Sequence, residues 1–336
     1  MLMRWGTGLV GRRAVLAAGA GLVMIGGLGC LGRPARAADP VKVMTFNIKF
    51  DGDGLFNAAR SWSYFFGADR RDRVTDVINA FGPDLLGVQE MLDNQRADLQ
   101  GSLSGYGYYG PGRDGGSSGE RSGIFYRTAR FNQLDQGEFW LSDTPATPGT
   151  TFTGNGGDTG NPRMATWLKL QDTQTGSELF VINTHWSLDG EARRLSGELI
   201  RGRIDALSGG SPVIAMGDLN EVRAAAGYNA LLGSGAGGQR RLVDSYDQSG
   251  QPQGRTFHNW AGGTDGSRID HVLHSEGDFD VIGGSIIRTT IGGYYPSDHY
   301  PVTVTLEPVP EPGTLALLAG ATATALGLGW RRWRRA

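Results

Sequence analysis

The feature that most limits how this chain can fold is a series of short apolar runs separated by polar and glycine-rich punctuation. Residues 41–48, 85–88, 124–126, 165–170, 179–184, 213–216, 269–273 and 302–306 are rich in Val, Ile, Leu, Phe and Met. Runs of this length, bounded by turn residues, read as buried strands. The spacing of Val74, Val77, Ile78 and Phe81 predicts a helix, stopped by Gly82-Pro83, and amphipathic helices are predicted over 190–207 and 224–232. Strands predominate with helices interspersed, so two sheets covered by helices is the natural packing. The 55 glycines follow no three-residue period and mark turns rather than collagen. No internal repeat and no long linker divides the body.

The two ends differ from this body, which gives three expected segments: 1–38, 39–308 and 309–336. Arg4, Arg12 and Arg13 precede an uncharged stretch over 14–32, and Ala35-Arg36-Ala37 offers small residues for cleavage, so the start reads as an export signal. The Arg12-Arg13 pair is compatible with twin-arginine export. The one cysteine, Cys30, falls in this leader, so cleavage after Ala37 leaves a mature chain with no disulfide and a core that must stabilise it alone. At the other end, Pro310-Glu311-Pro312 is followed by seventeen uncharged residues, Thr314 to Trp330, and then Arg331-Arg332-Trp333-Arg334-Arg335. Such a run spans roughly 25 Å as a helix, just short of a bilayer core. This tail resembles a PEP-CTERM sorting signal. The resemblance implies an exosortase-like processing enzyme as partner beside the export machinery, transient membrane contact through the apolar span, and a cell-surface or extracellular location in a Gram-negative bacterium.

Between the ends the body carries 23 basic against 33 acidic residues, a net charge of −10. Nucleic-acid affinity draws heavily on cations that displace phosphate counterions. The charge therefore does not indicate a general nucleic-acid binder, although a local basic cleft stays open.

Asn47, Glu90, His185, Asp218, Asn220, Asp270, Asp298 and His299 are expected at or just past the C-terminal ends of the apolar runs, on one rim where loops build sites. Any one of them alone reads as a cap, a turn residue or a packed histidine. Thr45-Phe46-Asn47-Ile48, Gly87-Val88-Gln89-Glu90, Asn183-Thr184-His185, Gly217-Asp218-Leu219-Asn220, Arg268-Ile269-Asp270-His271 and Ser297-Asp298-His299 together resemble, in order, the endonuclease/exonuclease/phosphatase family of DNase I-like enzymes. The resemblance implies an α+β fold, a four-layer α/β-sandwich of two mixed β-sheets flanked by helices, with the site at the sheets' top edge.

Hydrolysis of a phosphoester needs charge neutralised on the phosphoryl oxygens, a proton acceptor for water and help for the leaving oxygen. Glu90 is the candidate main metal ligand, with Asn47 and Asp298. These hard oxygen donors favour Mg2+, Mn2+ or Ca2+ over zinc. Asp270 can orient His299, and by analogy with the family that pair acts as a base or as a phosphate-binding cation. Asp218 is the second candidate to orient or deprotonate water, while Asn220 and His185 would donate to the phosphoryl group. His258, His271 and His274 read as structural.

Lys49 departs from the abasic-site endonucleases of the family, which carry Asp there. It cannot ligate a metal, which argues against a carboxylate-assisted second metal position, and it could touch a substrate phosphate. Arg113, in a Gly-rich loop, and Arg163, opening a strand, are candidate phosphate binders, with Glu120 an extra acid beside that loop. Trp62, Tyr64, Phe65 and Phe66, in the loop before the first helix, read first as core packing, with a substrate-facing rim as the alternative.

The expected activity is an exported, divalent-metal-dependent phosphoesterase cleaving a phosphodiester by direct water attack, an extracellular nuclease being one version. A sphingomyelinase-like or phosphatase activity is the alternative, and a non-catalytic surface or matrix module is the reading from another class.

Overall fold

A computed structural model describes residues 38–67, 69–153, 161–235 and 240–310. The export leader and the sorting tail lie outside the described residues. Among the described residues no helix is long and apolar enough to cross a membrane.

Twelve strands form two six-stranded sheets. The first contains β1 (Val41–Asn47), β2 (Leu85–Met91), β3 (Tyr106–Tyr109), β4 (Arg121–Arg127), β11 (Phe279–Ile286) and β12 (Val302–Pro308), in the order β11-β12-β1-β2-β4-β3. The second contains β5 (Phe131–Trp140), β6 (Met164–Asp172), β7 (Glu178–His185), β8 (Val213–Asp218), β9 (Leu242–Asp244) and β10 (Asp270–Ser275), in the order β5-β6-β7-β8-β10-β9. Both are mixed sheets: β1 runs parallel to β2 and β7 parallel to β8, while the other pairs are antiparallel.

Every apolar run of the sequence is an inner strand, and the strands that the pattern does not predict, β3, β5, β9 and β11, are the sheet edges. An inner strand is flanked on both sides and covered on both faces, so it reads as a continuous apolar run. In β5, only Phe131, Phe139 and Trp140 are buried, because an outer edge does not require more.

Four layers result. Val43, Leu85, Val304, Leu168, Val181 and Met216 belong to the apolar core between the sheets. On the outside of the first sheet, Phe46, Leu86 and Val88 pack with Val74, Val77 and Ile78 of α1 (Arg70–Phe81) and Leu99 of α2 (Asp93–Ser102). Outside the second, Ile182, Val213 and Ala215 pack with Ile200 and Ile204 of α3 (Gly190–Leu207) and with Leu231 of α4 (Ala226–Leu232). A short α5 (Ser245–Gln248) follows β9. The caps fix these helices locally. Asp189 accepts from the N–H groups of Glu191 and Ala192 at the start of α3, and Gly82 takes φ 62° to end α1, a conformation that costs a residue without Cβ little. Helix α2 escapes prediction because its sequence is polar and buries only Gln95 and Leu99.

The aromatic segment before α1 divides. Trp62 is fully buried and donates from Nε1 to Asp98 Oδ2 at 2.8 Å. Phe65 and Phe66 do not enter the core as expected: they are 67% and 74% exposed and pack on each other and on Phe56, in a surface turn held by the Gly67 N–H to Tyr64 carbonyl and Phe65 N–H to Leu55 carbonyl bonds.

Candidate active site

The polar residues singled out in the sequence gather on one rim, but not all by the expected route. Asn47, His185 and Asp218 do end β1, β7 and β8. Asp270 instead opens β10, and Asp298 and His299 precede β12. These strands run antiparallel to β8 and β1, so their starts fall beside their neighbours' ends: Asp270 pairs directly with Asp218, and His185 also pairs with Asp218 on the other side. The expected placement after strands is thus corrected for these three: they stand at or ahead of the starts of β10 and β12, and only antiparallel pairing, which an apolar run does not encode, brings them to the rim where β1, β7 and β8 end.

Local backbone geometry aims the side chains. The β2–β4 register slips between Val88 and Met91, and within that bulge Glu90 takes φ 58°. A bulge bends a strand and re-aims its side chain. Lys49 at φ 59° and Asn220 at φ 46° share this left-handed conformation, rare for residues with a Cβ. Gly217, at φ 152°, has no room for a side chain, since a Cβ would lie 2.1 Å from the carbonyl oxygen of Thr184. That close approach lets β7 and β8 carry His185 and Asp218 side by side.

Asp218 is the focus. Its Oδ2 accepts from Asn47 Nδ2 at 3.0 Å, and its Oδ1 from the Asn220 N–H at 2.9 Å. The Nε2 atoms of His185 and His299 stand 3.6 and 3.7 Å from the same Oδ2, too far for direct hydrogen bonds. His299 Nδ1 and Asp270 Oδ2 are 3.0 Å apart. Asn47 Nδ2 also donates to Glu90 Oε1 at 3.0 Å, and its Oδ1 accepts from the Lys49 N–H. Lys49 Nζ lies 3.3 Å from Glu90 Oε2 and 4.0 Å from Asp298 Oδ2. Nearly all of these groups are buried: Asn47, Asp218, Asp270, Asp298, His185 and His299 are each at most 7% exposed.

Burial and charge set their protonation. Burial disfavours a charged His299, but the carboxylates of Asp270 and Asp218 outweigh it and raise its pKa well above the ordinary value, which favours the charged ring. Burial and the neighbouring Asp270 push Asp218 above the usual carboxylate range. His185 is pushed far down, by burial and then by Arg163 and His299, and stays neutral. Burial would raise Glu90, yet Lys49, the Asn47 hydrogen bond and His299 together hold it below its ordinary value. Asp298 is raised, chiefly by burial.

The donor set suits a hard divalent cation at Glu90. Glu90, Asn47 and Asp298 offer oxygens, and the Lys49 ammonium already lies against both carboxylates, which shows that this corner attracts positive charge. Asp218, Asp270 and His299 also bring ligand atoms within 4.8 Å of one another. There, however, the raised pKa of His299 favours a charged ring, which would have to give up its Nε2 proton to ligate a metal.

Beside His185 a shallow cleft is lined by Arg113, Glu120, Ser122, Arg163 and Met164 among others. Both Arg113 terminal nitrogens lie 2.9 Å from Glu120 oxygens, a two-pronged pair held by the Gly-rich loop. Burial, with repulsion from Glu90, raises the Glu120 pKa against the pull of Arg113. The expected phosphate-binding arginines thus stand next to the rim rather than among the carboxylates.

Some contributors escaped the sequence reading. Phe257 lies 44% exposed with its ring 5.0 Å from the His299 ring, forming one wall. Ser297 Oγ donates to the Asn47 carbonyl at 2.7 Å and accepts from the His299 N–H, tying β1 to the segment that carries His299. Gln89 Nε2 donates to Asn183 Oδ1 beneath the rim. No local motif signals Phe257. Ser297, Gln89 and Asn183 stood inside the quoted motifs, where polar residues next to candidate ligands were the available sign. His258, His271 and His274 sit away from Asp218, with buried partners of their own.

A family model described as the Endonuclease/Exonuclease/phosphatase family matches residues 44–299, and a PEP-CTERM protein-sorting motif matches residues 308–335. The endonuclease/exonuclease/phosphatase from Bacteroides vulgatus has a similar structure, with 30% identity and a TM-score of 0.71 over 81% of this chain and all of that one. A mannosyl-6-phosphatase of Bacteroides thetaiotaomicron is 31% identical, with a TM-score of 0.67 over 79% of this chain and 99% of that one. An uncharacterized protein of Acanthamoeba polyphaga mimivirus is 28% identical over 178 residues, 45% of this chain, and the match spans about a quarter of that relative's length, 26%.

Proposed function

The chain belongs to the Endonuclease/Exonuclease/phosphatase family, and on that footing we propose that it is a divalent-metal-dependent phosphoric ester hydrolase acting after export. The sorting motif marks it for the cell envelope of a Gram-negative bacterium, and a surface or extracellular destination after processing of the tail is part of the same proposal. The observation that carries the chemistry is Asp218 Oδ2 standing between two histidine Nε2 atoms, with Glu90 reached through Asn47.

A divalent ion held by Glu90, Asn47 and Asp298, with Mg2+ the first candidate and Mn2+ or Ca2+ next, would neutralise charge on the phosphoryl oxygens. Asp218 orients water and takes its proton; its raised pKa makes it a better base than an ordinary carboxylate. His299, fixed by Asp270, presents a positive N–H to the phosphoryl group. Neutral His185 and the Asn220 amide add donors as charge builds in the transition state.

The sequence pointed first to a phosphodiester. A specific observation favours a second reading, a phosphomonoester of a small polar alcohol: among the described residues, the cleft beside His185 is lined by the charged side chains of Arg113, Glu120 and Arg163, which suit a small anionic group. The likeness to a mannosyl-6-phosphatase points the same way. DNA, RNA, sphingomyelin, bis-p-nitrophenyl phosphate and mannose 6-phosphate, assayed side by side with Mn2+ and with EDTA, separate these readings. Turnover of the sugar phosphate alone selects the monoesterase. Cleavage of DNA at physiological salt selects the nuclease despite the body's net charge. No metal-dependent turnover of any substrate overturns the proposal and leaves a non-catalytic surface module.

A further inference from the structure

Both ends of the folded body leave it on the side away from the catalytic rim. Strand β12 sets out just past His299 and carries the chain to Pro308, about 20 Å away at the usual rise of a strand. There Pro308 pairs with Phe279 at the start of β11. The Val309 N–H donates at 2.9 Å to the Asp278 carbonyl, in the turn that β10 reaches after running down from Asp270. The body begins at the same base. Val41 pairs with Leu306, so β1 climbs from this end to Asn47 at the rim. Just before it, the Asp39 N–H donates to Gln174 Oε1 at 2.8 Å, and Gln174 Nε2 donates back to Asp39 Oδ2 at 3.0 Å, in the turn between β6 and β7. The buried Arg130, paired with Asp172, donates to the carbonyls of Asp39 and Pro40 and fixes this entry.

Only Glu311, Pro312 and Gly313 separate Pro310 from the uncharged run over 314–330. At full extension the steps from Pro310 to Thr314 reach about 14 Å. A body of this length has a radius of gyration of roughly 18 Å and so a breadth of roughly 45 Å. The tether is too short for the body to roll over and lay its rim on the surface that holds it. We propose that, while the run over 314–330 is held in a bilayer, the base of the fold faces that bilayer and the catalytic rim faces away, so that the anchored chain hydrolyses phosphoesters in the aqueous space beyond it and not the headgroups of its own membrane. The export leader joins the body at the same base, so a retained leader gives the same orientation. The phosphoester chemistry depends on the function proposed for the rim, whereas the orientation depends only on strand direction and tether length. Removal of the tail then changes where the enzyme is, not whether it works.

The test uses the full chain with Cys30→Ser and one fluorophore-labelled cysteine. The label sits either at Leu188→Cys, exposed just past His185 at the rim, or at Thr175→Cys, exposed in the β6–β7 turn at the base. Each protein is reconstituted in phosphatidylcholine vesicles whose headgroups carry a nitroxide quencher. The base label is quenched several-fold more strongly than the rim label. The vesicle-held chain hydrolyses p-nitrophenyl phosphate with Mn2+ at a rate, per accessible chain, within about twofold of its rate in detergent. Equal quenching at the two positions, stronger quenching at the rim, or a chain that does not associate with the vesicles overturns the proposal. So does turnover that falls by about tenfold or more on vesicles and returns in detergent. Quenching confined to the base, with no turnover on vesicles or in detergent, upholds the orientation and refutes instead the phosphoesterase chemistry proposed for the rim.

Discussion

Gln89 of β2 donates from Nε2 to Oδ1 of Asn183 on β7 at 2.7 Å, joining the two sheets directly beneath the rim. Asn183 answers with Nδ2, which donates to the carbonyls of Val88 and Gly123, and Gln89 Nε2 also reaches Thr45 Oγ1. All of these side chains are buried. Glu90 follows Gln89 and His185 lies two residues past Asn183, so this clasp sets the distance between the metal corner and the histidines.

Asn183→Ala leaves the Val88 and Gly123 carbonyls without their side-chain donor in a dry interior. Stranded buried polar groups cost about 1–3 kcal/mol each. A loss of about 3 kcal/mol is expected, seen as a lower urea midpoint at unchanged slope. A variant as stable as wild type would mean that the sheets are held in register by apolar packing alone.

Gly217→Ala places a methyl against the Thr184 carbonyl, a backbone atom that cannot swing aside. The strands must part beneath His185 and Asp218. Stability should fall by about 1–3 kcal/mol, and turnover should fall even in the fraction that remains folded. Full activity in a soluble Gly217→Ala protein would contradict the tight β7–β8 approach.

Asp244 anchors the far side of β10. Its Oδ2 accepts from Arg268 Nη2 at 3.0 Å and lies 3.1 Å from His271 Nδ1. Burial would raise its pKa, but the His271 hydrogen bond and the Arg268 charge outweigh burial and hold the carboxyl far below the usual range. A folded-state pKa below the unfolded value contributes stability that is present above the unfolded value, about 3.9, and fades as pH falls toward the folded one. Asp244→Asn should therefore lose about 1–3 kcal/mol at pH 7, since the buried Arg268 keeps only Asp247 as a charged partner. The gap to wild type should narrow below about pH 4. Equal gaps at pH 7 and pH 3 in denaturant titrations would rule out this ion pair as the source.

Trp62 and Phe66 are four residues apart and should respond oppositely. Trp62→Ala opens a cavity in a packed core and should cost about 3–5 kcal/mol. Phe66→Ser removes an exposed ring and should stay within about 0.5 kcal/mol of wild type. Comparable losses at both positions would mean that the exposed aromatic group is covered in solution.

The inner strands were legible because each must be apolar on both faces, as in the 179–184 run that became β7. The edges were not. The pattern of β11 is broken by Gly283-Gly284 and a bulge after Val281, and that of β5 by Asn132, Gln133, Asp135 and Gln136, since solvent meets these strands on one side. At the site, residue identity survived translation into geometry better than position along strands did. Asp270 and His299 were expected after strands and stand at or ahead of their starts; they reach the rim through antiparallel pairing with β8 and β1, which comes from tertiary contacts that no local pattern encodes. Phe257 was invisible for the same reason: it meets His299 through an isolated bridge across 42 residues of chain.

The central claim is that Asp218, Asp270 and His299 act together on one phosphoester. Hydrolysis of bis-p-nitrophenyl phosphate and p-nitrophenyl phosphate with Mn2+, followed for wild type, Asp270→Asn, His299→Ala and the double variant, tests it most directly. Each single change should lower kcat by roughly 10²–10⁴ and the double change should add little, since residues acting as one unit are not additive. Single variants that retain wild-type turnover, or a double variant whose loss is the product of the two single losses, would contradict it.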